Sequence, residues 1–300
     1  MDENKKVLFI INKFSGGGYH ANVEGQIITH CTNLGLEPSI QFTHSRGHAT
    51  ELAREAATSK NFKTIFAMGG DGTVNEVAQG IVHTEQVMGI IPKGSGNGLA
   101  RHLGIPMNFK QSLKYIGSHS VIAVDTFSVN NQLSVNVSGI GFDGHIAGLF
   151  GKNGKRGLIG YSKLVLKEFF SYQDFSTNVK IDNQTFNKKA FIIAFANSSQ
   201  FGNNARVAPY ASVCDGILDI SFIRKVPIAQ AIGFANKMFT GQLESSAFVE
   251  IEKGKKISLS FPHPMPYHID GEGMDPTQNF TIEIHPASLR MLVPKSTGKV

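Results

Sequence analysis

An apolar run, Thr64-Ile65-Phe66-Ala67, passes directly into Met68-Gly69-Gly70-Asp71-Gly72-Thr73-Val74-Asn75-Glu76. The run reads as a strand, and helical patterning begins at Val74 and continues to Ile81. A strand that enters a glycine turn and leaves it as a helix commits this part of the chain to an α/β arrangement. It also puts bare backbone N–H groups at a helix start, where a phosphate can be held. Glycine permits close approach because no Cβ intervenes. Asp71 in such a turn repels a phosphate unless a cation lies between them, so the acid implies Mg²⁺. Thr73 can cap the helix or contact a phosphate oxygen.

The same grammar recurs along the first part of the chain. Strands are expected at 7–11, 38–43, 63–68 and 87–91, with helices at 23–34, 48–58, from 73 and from 99. Short buried strands alternating with helices give a parallel sheet with right-handed crossovers. Ligands of such sheets bind outside the carboxyl ends of the strands. Glycine loops leave three of those ends: Ser15-Gly16-Gly17-Gly18, Gly69 to Gly72, and Gly94-Ser95-Gly96-Asn97-Gly98. None has the Gly-x-x-x-x-Gly-Lys-Ser/Thr spacing of a P-loop. The first lacks a clean Gly-x-Gly-x-x-Gly, and no acid closes the second strand, which disfavours a dehydrogenase.

The texture changes after about Ser120. Strands are expected at 121–129, 133–137, 175–181, 188–196, 217–222, 248–252, 256–261 and 280–284, with turns at Asn130-Asn131 and Asp182-Asn183. Helical patterns interrupt them at 158–170 and 228–239. A last strand at 289–293 fits either part. The expected fold is therefore α/β in two domains: an N-terminal doubly wound α/β nucleotide-binding domain at 1–125, completed by 286–300, and a C-terminal antiparallel β-sandwich at 126–285.

Composition narrows the partners. Hydrophobic content of 41% and charged content of 17% describe a globular chain with a sizeable core. The net charge of +6 suits a nucleotide, an anionic lipid surface or nucleic acid. Scattered basic residues without an aromatic platform make nucleic acid the weakest of these. Cys31 and Cys214 cannot form a disulfide framework and read as buried thiols in a reducing compartment. The expected location is cytoplasmic and peripheral at a membrane, because no apolar run is long enough to span one.

With these residues in view, the chain resembles the diacylglycerol kinase catalytic-domain family, which includes soluble bacterial lipid kinases and sphingosine and ceramide kinases. Gly69-Gly70-Asp71-Gly72-Thr73-Val74-Asn75-Glu76 resembles the family signature. Asn12-Lys13-Phe14-Ser15-Gly16 resembles its first nucleotide motif, with Lys13 where Pro is usual. Thr43 to Ala49 resembles its Thr-x-x-x-x-His-Ala segment, and Pro92 to Asn97 its Pro-x-Gly-Thr/Ser-x-Asn loop. Asn136 to Asp143, Asp215-Gly216-Ile217-Leu218-Asp219 and Asp270-Gly271-Glu272 resemble its later motifs, in the family's order. Gly98 stands where many bacterial diacylglycerol kinases carry Asp, which leaves the metal network one acid short.

The resemblance implies an ATP- and Mg²⁺-dependent kinase of a lipid hydroxyl, with the reaction in a cleft between the domains. It implies nucleotide contacts from Asn12, Ser15, Gly16, Thr43, Gly69, Gly70, Asp71, Gly72, Thr73, Asn75, Glu76, Gly94, Ser95 and Asn97. Asp71 would organise Mg²⁺ through water, Glu272 would be the general base, and Asp125 would complete the polar network. A structural Mg²⁺ would take Asp215 and the backbone carbonyls of Ser212 and Ile217. Diacylglycerol leads as acceptor, with sphingoid base or ceramide behind it. The rivals are an NAD-kinase-like enzyme with a soluble substrate and a non-catalytic nucleotide-binding module. The oligomeric state stays open, a homodimer being one reading. A membrane face is expected at 152–156 and the helix 158–170, where basic residues would meet anionic headgroups. No His pair flanks a Glu at zinc spacing; His48 can help cap its helix, and His145 and His268 read as structural or solvent-exposed.

Overall fold

Strands β1 (Lys6–Ile11), β3 (Thr64–Gly69) and β4 (Val87–Pro92) are almost wholly buried, whereas β2 (Glu37–Phe42) alternates exposed and half-buried residues. That difference fixes their places: β2 is an edge, and the parallel order is β2-β1-β3-β4. These strands come from a computed structural model that describes residues 5–16, 18, 22–152 and 158–295. The chain divides into two compact units, Met1–Val124 with Ala287–Val300, and Asp125–Pro286.

In the first unit the helices are α1 (Val23–Asn33), α2 (His48–Ser59), α3 (Asp71–Ile81), α4 (Gly98–His102) and α5 (Phe109–Lys114). The chain steps from β1 outward to β2, then returns past β1 to β3 and β4. Right-handed crossovers therefore put α1 on one face and α2 and α3 on the other, the doubly wound arrangement. Close helix packing depends on Gly80, where a Cβ would lie 2.5 Å from that of Ala53 on α2. Phe9 and Phe66 stack at 4.6 Å across β1 and β3. Arg290 and Met291 pair parallel with Val87 and Met88, so the segment expected at 289–293 extends this sheet beside β4. The strand order reverses between β1 and β3, and that reversal is the switch point at which doubly wound sheets hold ligands.

The second unit is an antiparallel sandwich. The strands from His119 on are β5 (His119–Val129), which begins in the first unit, β6 (Gln132–Ser134), β7 (Val137–Gly141), β8 (Phe175–Ile181), β9 (Gln184–Ala190), β10 (Ile192–Ala196), β11 (Gln200–Gly202), β12 (Ala205–Arg206), β13 (Leu218–Ile223), β14 (Val249–Gly254), β15 (Lys256–Ile269) and β16 (Glu272–Pro294), whose residues from Ala287 belong to the first unit. The main order is β14-β13-β10-β7-β15-β16, with β8 on β15 and β9 on β8. Phe127, Phe195, Phe222 and Phe280 lie among the buried residues of its largest core. Its helices are α6 (Phe142–Lys152), α7 (Leu158–Phe169) and α8 (Ile228–Thr240).

Two expected strands break. The strand expected at 133–137 splits into β6 and β7, because Asp270 draws the amides of Val135 and Asn136 to its carboxylate. The strand expected at 188–196 breaks at Phe191, whose N–H donates to Ile223 and whose carbonyl accepts from Phe142. Two expected strands are much longer than read, at β15 and β16, because they run as partners through a register shift that alternation alone does not reveal. Helix α6 was not expected. The basic segment 153–157, part of the expected membrane face, lies outside the described residues.

Candidate functional site

The loops that follow β1, β3 and β4 meet at the switch point of the first unit. The N–H groups of Lys93 and Gly94 donate to the Gly69 carbonyl at 2.7 and 3.1 Å, which sets the third loop against the second. Contact there is backbone on backbone: a Cβ on Gly94 would stand 2.5 Å from the Gly70 Cα. Asp71 locks the two loops. Its Oδ2 accepts the Asn97 N–H and its Oδ1 the Gly98 N–H, both at 2.8 Å, at the start of α4. Gly96 has no room for a side chain either, since a Cβ would lie 2.8 Å from Asp71 Oδ2. Asn97 adopts the left-handed conformation at φ 52°, and its side chain closes the loop onto the Gly94 N–H and carbonyl.

The first loop is tied to the other two. Asn12 Nδ2 donates to Thr73 Oγ1 at 3.2 Å, and its Oδ1 accepts the Phe14 N–H at 2.9 Å. The Lys93 ammonium donates to the carbonyls of Asn12, Lys13 and Ser15, so one half-buried cation gathers the turn. Burial lowers the pKa of that ammonium below its usual value. Gly16, at φ 63°, lies so close to the third loop that a Cβ would fall 1.9 Å from the Lys93 carbonyl oxygen. Lys13, the residue in place of the usual Pro, lays its ammonium 3.6 Å from the centre of the Phe42 ring. Sequence reasoning quoted Lys93 inside a motif without giving it work; a Lys between Pro and Gly was the available signal.

Other expected nucleotide residues have local tasks. Glu76 caps α2: its two oxygens accept the Gly47 and Ala49 N–H groups at 2.9 and 3.2 Å. Asn75 is buried and accepts from Gln79 one turn along α3. Thr43 is buried at the end of β2, its N–H on the Ile11 carbonyl at 3.0 Å. Ser15 turns its hydroxyl onto the Asn12 carbonyl, and Ser95 is exposed at the loop tip. Helix α3 starts at Gly70 with no side-chain cap, so its first-turn amides at Gly72 and Thr73 face out of the helix end. A cradle of glycines, outward amides and a single carboxylate suits a polyanion that brings its own cation.

The remaining candidates lie in the second unit. Asp125 is buried, and its Oδ2 accepts the Gly216 N–H at 2.6 Å. Asp215 Oδ1 accepts the Ile217 N–H at 3.1 Å, and Ser212 Oγ accepts the Cys214 N–H at 3.3 Å. Cys214, expected to be buried, is exposed, and partial desolvation first, then the charges of Asp125 and Asp215, push its thiol pKa up. Both carboxylates therefore bracket the turn at 213–217. Its oxygen donors suit a hard cation, while no cluster of three or more His, Cys, Asp or Glu that could hold a metal occurs among the described residues.

The Asp-Gly-Glu motif is the turn between β15 and β16, with Asp270 at φ 47° and Gly271 at φ 86°. Glu272 emerges exposed opposite Ile269. Asp270 points inward and accepts from Ser134 Oγ at 2.6 Å and from the N–H groups of Val135 and Asn136 at 2.9 and 3.0 Å. His268 braces the same turn. Its Nδ1 accepts the Gly271 N–H, so Nε2 carries the proton and donates to Asp143 Oδ2; both distances are 3.1 Å. Asp143 and Asp270, acids of two of the resembled motifs, thus shape the turn that presents Glu272.

A switch-point cradle for a polyanion, followed by an antiparallel sandwich, defines the class as a nucleotide-type α/β domain joined to a second lobe. Residues 6–129 match the diacylglycerol kinase catalytic domain, and residues 137–293 match the YegS C-terminal NAD kinase beta sandwich-like domain. The chain belongs to the diacylglycerol kinase catalytic-domain family, a family of lipid kinases. It is 26% identical to a diacylglycerol kinase of Bacillus subtilis over 302 residues, covering 98% of each chain. It is 27% identical over 266 residues to a Chromohalobacter salexigens protein named "Probable lipid kinase YegS-like", covering 87% of this chain and 85% of that one. The crystal structure of a diacylglycerol kinase from Bacillus anthracis superposes with a TM-score of 0.77 at 23% identity, over 97% of this chain and 98% of that one; that likeness concerns the fold.

Proposed function

We propose that the protein transfers the γ-phosphoryl group of ATP to a lipid hydroxyl, with diacylglycerol as the leading acceptor. The observation that carries this is the fusion of three glycine loops around Asp71 at the switch point of the first unit. In this reading residues 1–125 with 286–300 take the nucleotide, and residues 126–285 take the acceptor.

Phosphoryl transfer depends on positioning and charge neutralisation more than on covalent chemistry. The amides of Gly72 and Thr73 and the hydroxyl of Ser95 hold phosphate oxygens, and Gly70 and Gly94 let the backbone approach them. Asp71 engages the third loop through two amides at 2.8 Å, and in this reading its charge would organise Mg²⁺ through water. Mg²⁺, when bound, neutralises charge on the transferring phosphate. Glu272, presented by the braced turn, takes the proton of the acceptor hydroxyl. Asp215 with the carbonyls of Ser212 and Ile217 would hold a second, structural Mg²⁺, and Asp125, bonded to the Gly216 N–H, completes the polar network beside it.

Labelled ATP, Mg²⁺ and diacylglycerol in mixed micelles should yield phosphatidic acid, and Glu272→Gln should lower kcat by about a hundredfold or more. Absence of transfer to diacylglycerol, sphingoid base and ceramide alike, with transfer to NAD in lipid-free buffer, would overturn the reading in favour of a soluble acceptor.

A further inference from the structure

Glycines flank His268 in the sheet, Gly139 of β7 on one side and Gly273 of β16 on the other. Neither position has room for a side chain. A Cβ on Gly139 would fall 2.0 Å from Asp143 Oδ2, and one on Gly273 would fall 2.6 Å from the Gly148 backbone nitrogen. On the helix side, a Cβ on Gly144 would lie 2.4 Å from the Tyr267 Cα. Helix α6 therefore rests directly on the backbone at the end of β15, and its first turn delivers Asp143 to the imidazole. The His268 and Asp143 side chains are only 4% and 10% exposed.

The carboxylate that receives the Nε2 proton is itself fixed, since Asp143 Oδ1 accepts the Gly144 N–H at 2.8 Å. Phe201 of β11 packs edge-on against the imidazole, with ring centroids 5.8 Å apart. Held in this way, Nδ1 accepts the N–H of Gly271, the residue immediately before Glu272. That bond exists only while the ring is neutral. A proton on Nδ1 would set two donors face to face and leave the Gly271 amide without its acceptor. The charged neighbours are few. Asp143 comes from α6, Glu272 follows on the turn, and Asp270 is engaged with Ser134. Burial first and then the Asp143 charge push the Tyr172 phenol up to about 12, so it stays protonated. His145 of α6 is engaged with Glu168 at 3.0 Å. Gly139 of β7 and Phe201 of β11 carry no charge.

We propose that His268 is a positioning residue for the Glu272 carboxylate and acts only as its neutral, Nε2-protonated tautomer. Acidification then disables the reaction twice: by protonating the base, and by releasing the turn that aims it. A base displaced by about an ångström from its working position loses most of its effect on rate. Binding of the nucleotide uses none of these residues, so the effect falls on kcat. The proposal rests on the reading of Glu272 as the proton acceptor, but the tautomer and the turn are measured without substrate.

The test pairs nitrogen-15 NMR of the histidine ring in the wild type with kinetics of two amide variants. The spectrum should show Nε2 protonated and Nδ1 bare, and the Gly271 amide resonance should move with the imidazole on acidification. In His268→Asn the amide oxygen takes the place of Nδ1, accepts the Gly271 N–H and gains no proton. In His268→Gln the longer amide reaches Asp143 instead and leaves Gly271 unpaired. With diacylglycerol in micelles, kcat of His268→Gln should be about tenfold below that of His268→Asn, with the KM for ATP equal in both. The acid limb of the kcat profile should lie at lower pH in His268→Asn than in the wild type. Equal kcat in the two variants, measured below both melting temperatures, would overturn the proposal. So would an acid limb that His268→Asn leaves in place, or a ring protonated at Nδ1 in the wild type, a result that needs no variant to fold. A wild type with the expected tautomer and a responsive Gly271 amide, yet no transfer to any lipid acceptor, would sink the kinase reading and leave the pH-dependent turn standing.

Discussion

Asp71 is a test of whether the phosphate cradle is built by chemistry or by architecture. In the structure its carboxylate is a clip: each oxygen accepts one backbone N–H, from Asn97 and Gly98, at 2.8 Å. In Asp71→Asn one oxygen remains as an acceptor. The other position becomes an NH₂ that faces an N–H donor, and the negative charge at the start of α4 is gone. A hydrogen bond to a charged group contributes about 1.5–3 kcal/mol, so losing one and weakening the other should cost roughly 3 kcal/mol. For a unit of this size that is a fall in melting temperature of about 10 °C. The assay is calorimetric or optical melting of wild type and variant without nucleotide, where a purely catalytic acid has no effect. Nucleotide affinity, measured well below the variant's melting temperature, should fall with stability because loops two and three separate. A melting temperature within about 2 °C of wild type would refute the clip. Loss of turnover with unchanged stability would return Asp71 to metal organisation alone.

Two other perturbations follow from the same kind of contact. Lys93→Met removes the cation that gathers the carbonyls of Asn12, Lys13 and Ser15, and should raise the KM for ATP about tenfold with kcat little changed; steady-state kinetics show the split, and an equal fall in kcat would contradict it. The second concerns pH. Lys188 bonds Glu250 and Glu252 at 2.8 and 2.7 Å; its hydrogen bond, opposed by burial, holds the Glu250 pKa below the ordinary carboxylate value. A depressed carboxylate stabilises the fold above its unfolded pKa, and that contribution disappears as pH falls through the folded one. Melting temperature should therefore drop more steeply on acidification in the wild type than in Lys188→Met, and parallel curves would count against the pair. Glu250 is more than half exposed, so solvent screening keeps the effect small.

The parts of this protein that could be read from its sequence are those whose cause is local. Period and punctuation mark β1 through β4 and their helices within a residue or two, because β1, β3 and β4 are buried runs closed by turn residues and β2 is an alternating edge. The three glycine loops were legible for the same reason. The partners of those loops were not. Nothing near Glu76 announces that it caps a helix starting 28 residues earlier at His48, and nothing near Asp270 announces donors at Ser134, Val135 and Asn136. A carboxylate in a motif looks like chemistry until its lone pairs are assigned.

The pattern in these acids separates the residues available to a substrate from those that build the site. Asp71, Glu76 and Asp270 each spend both carboxylate oxygens on backbone amides, and Asp125 spends at least one. Such bonds fix the loops they span. Glu272 is exposed at the end of a rigid turn held by Asp270 and His268. Rigidity in the neighbours with exposure at the carboxylate is the condition a base needs to meet an incoming hydroxyl. In the proposed reaction, proton transfer falls to Glu272 and preorganisation to the other acids. Asp270→Asn should accordingly lower stability and kcat together, through misplacement of Glu272. Glu272→Gln should lower kcat with the melting temperature unchanged, and a matching loss of stability in Glu272→Gln would remove the distinction on which that assignment rests.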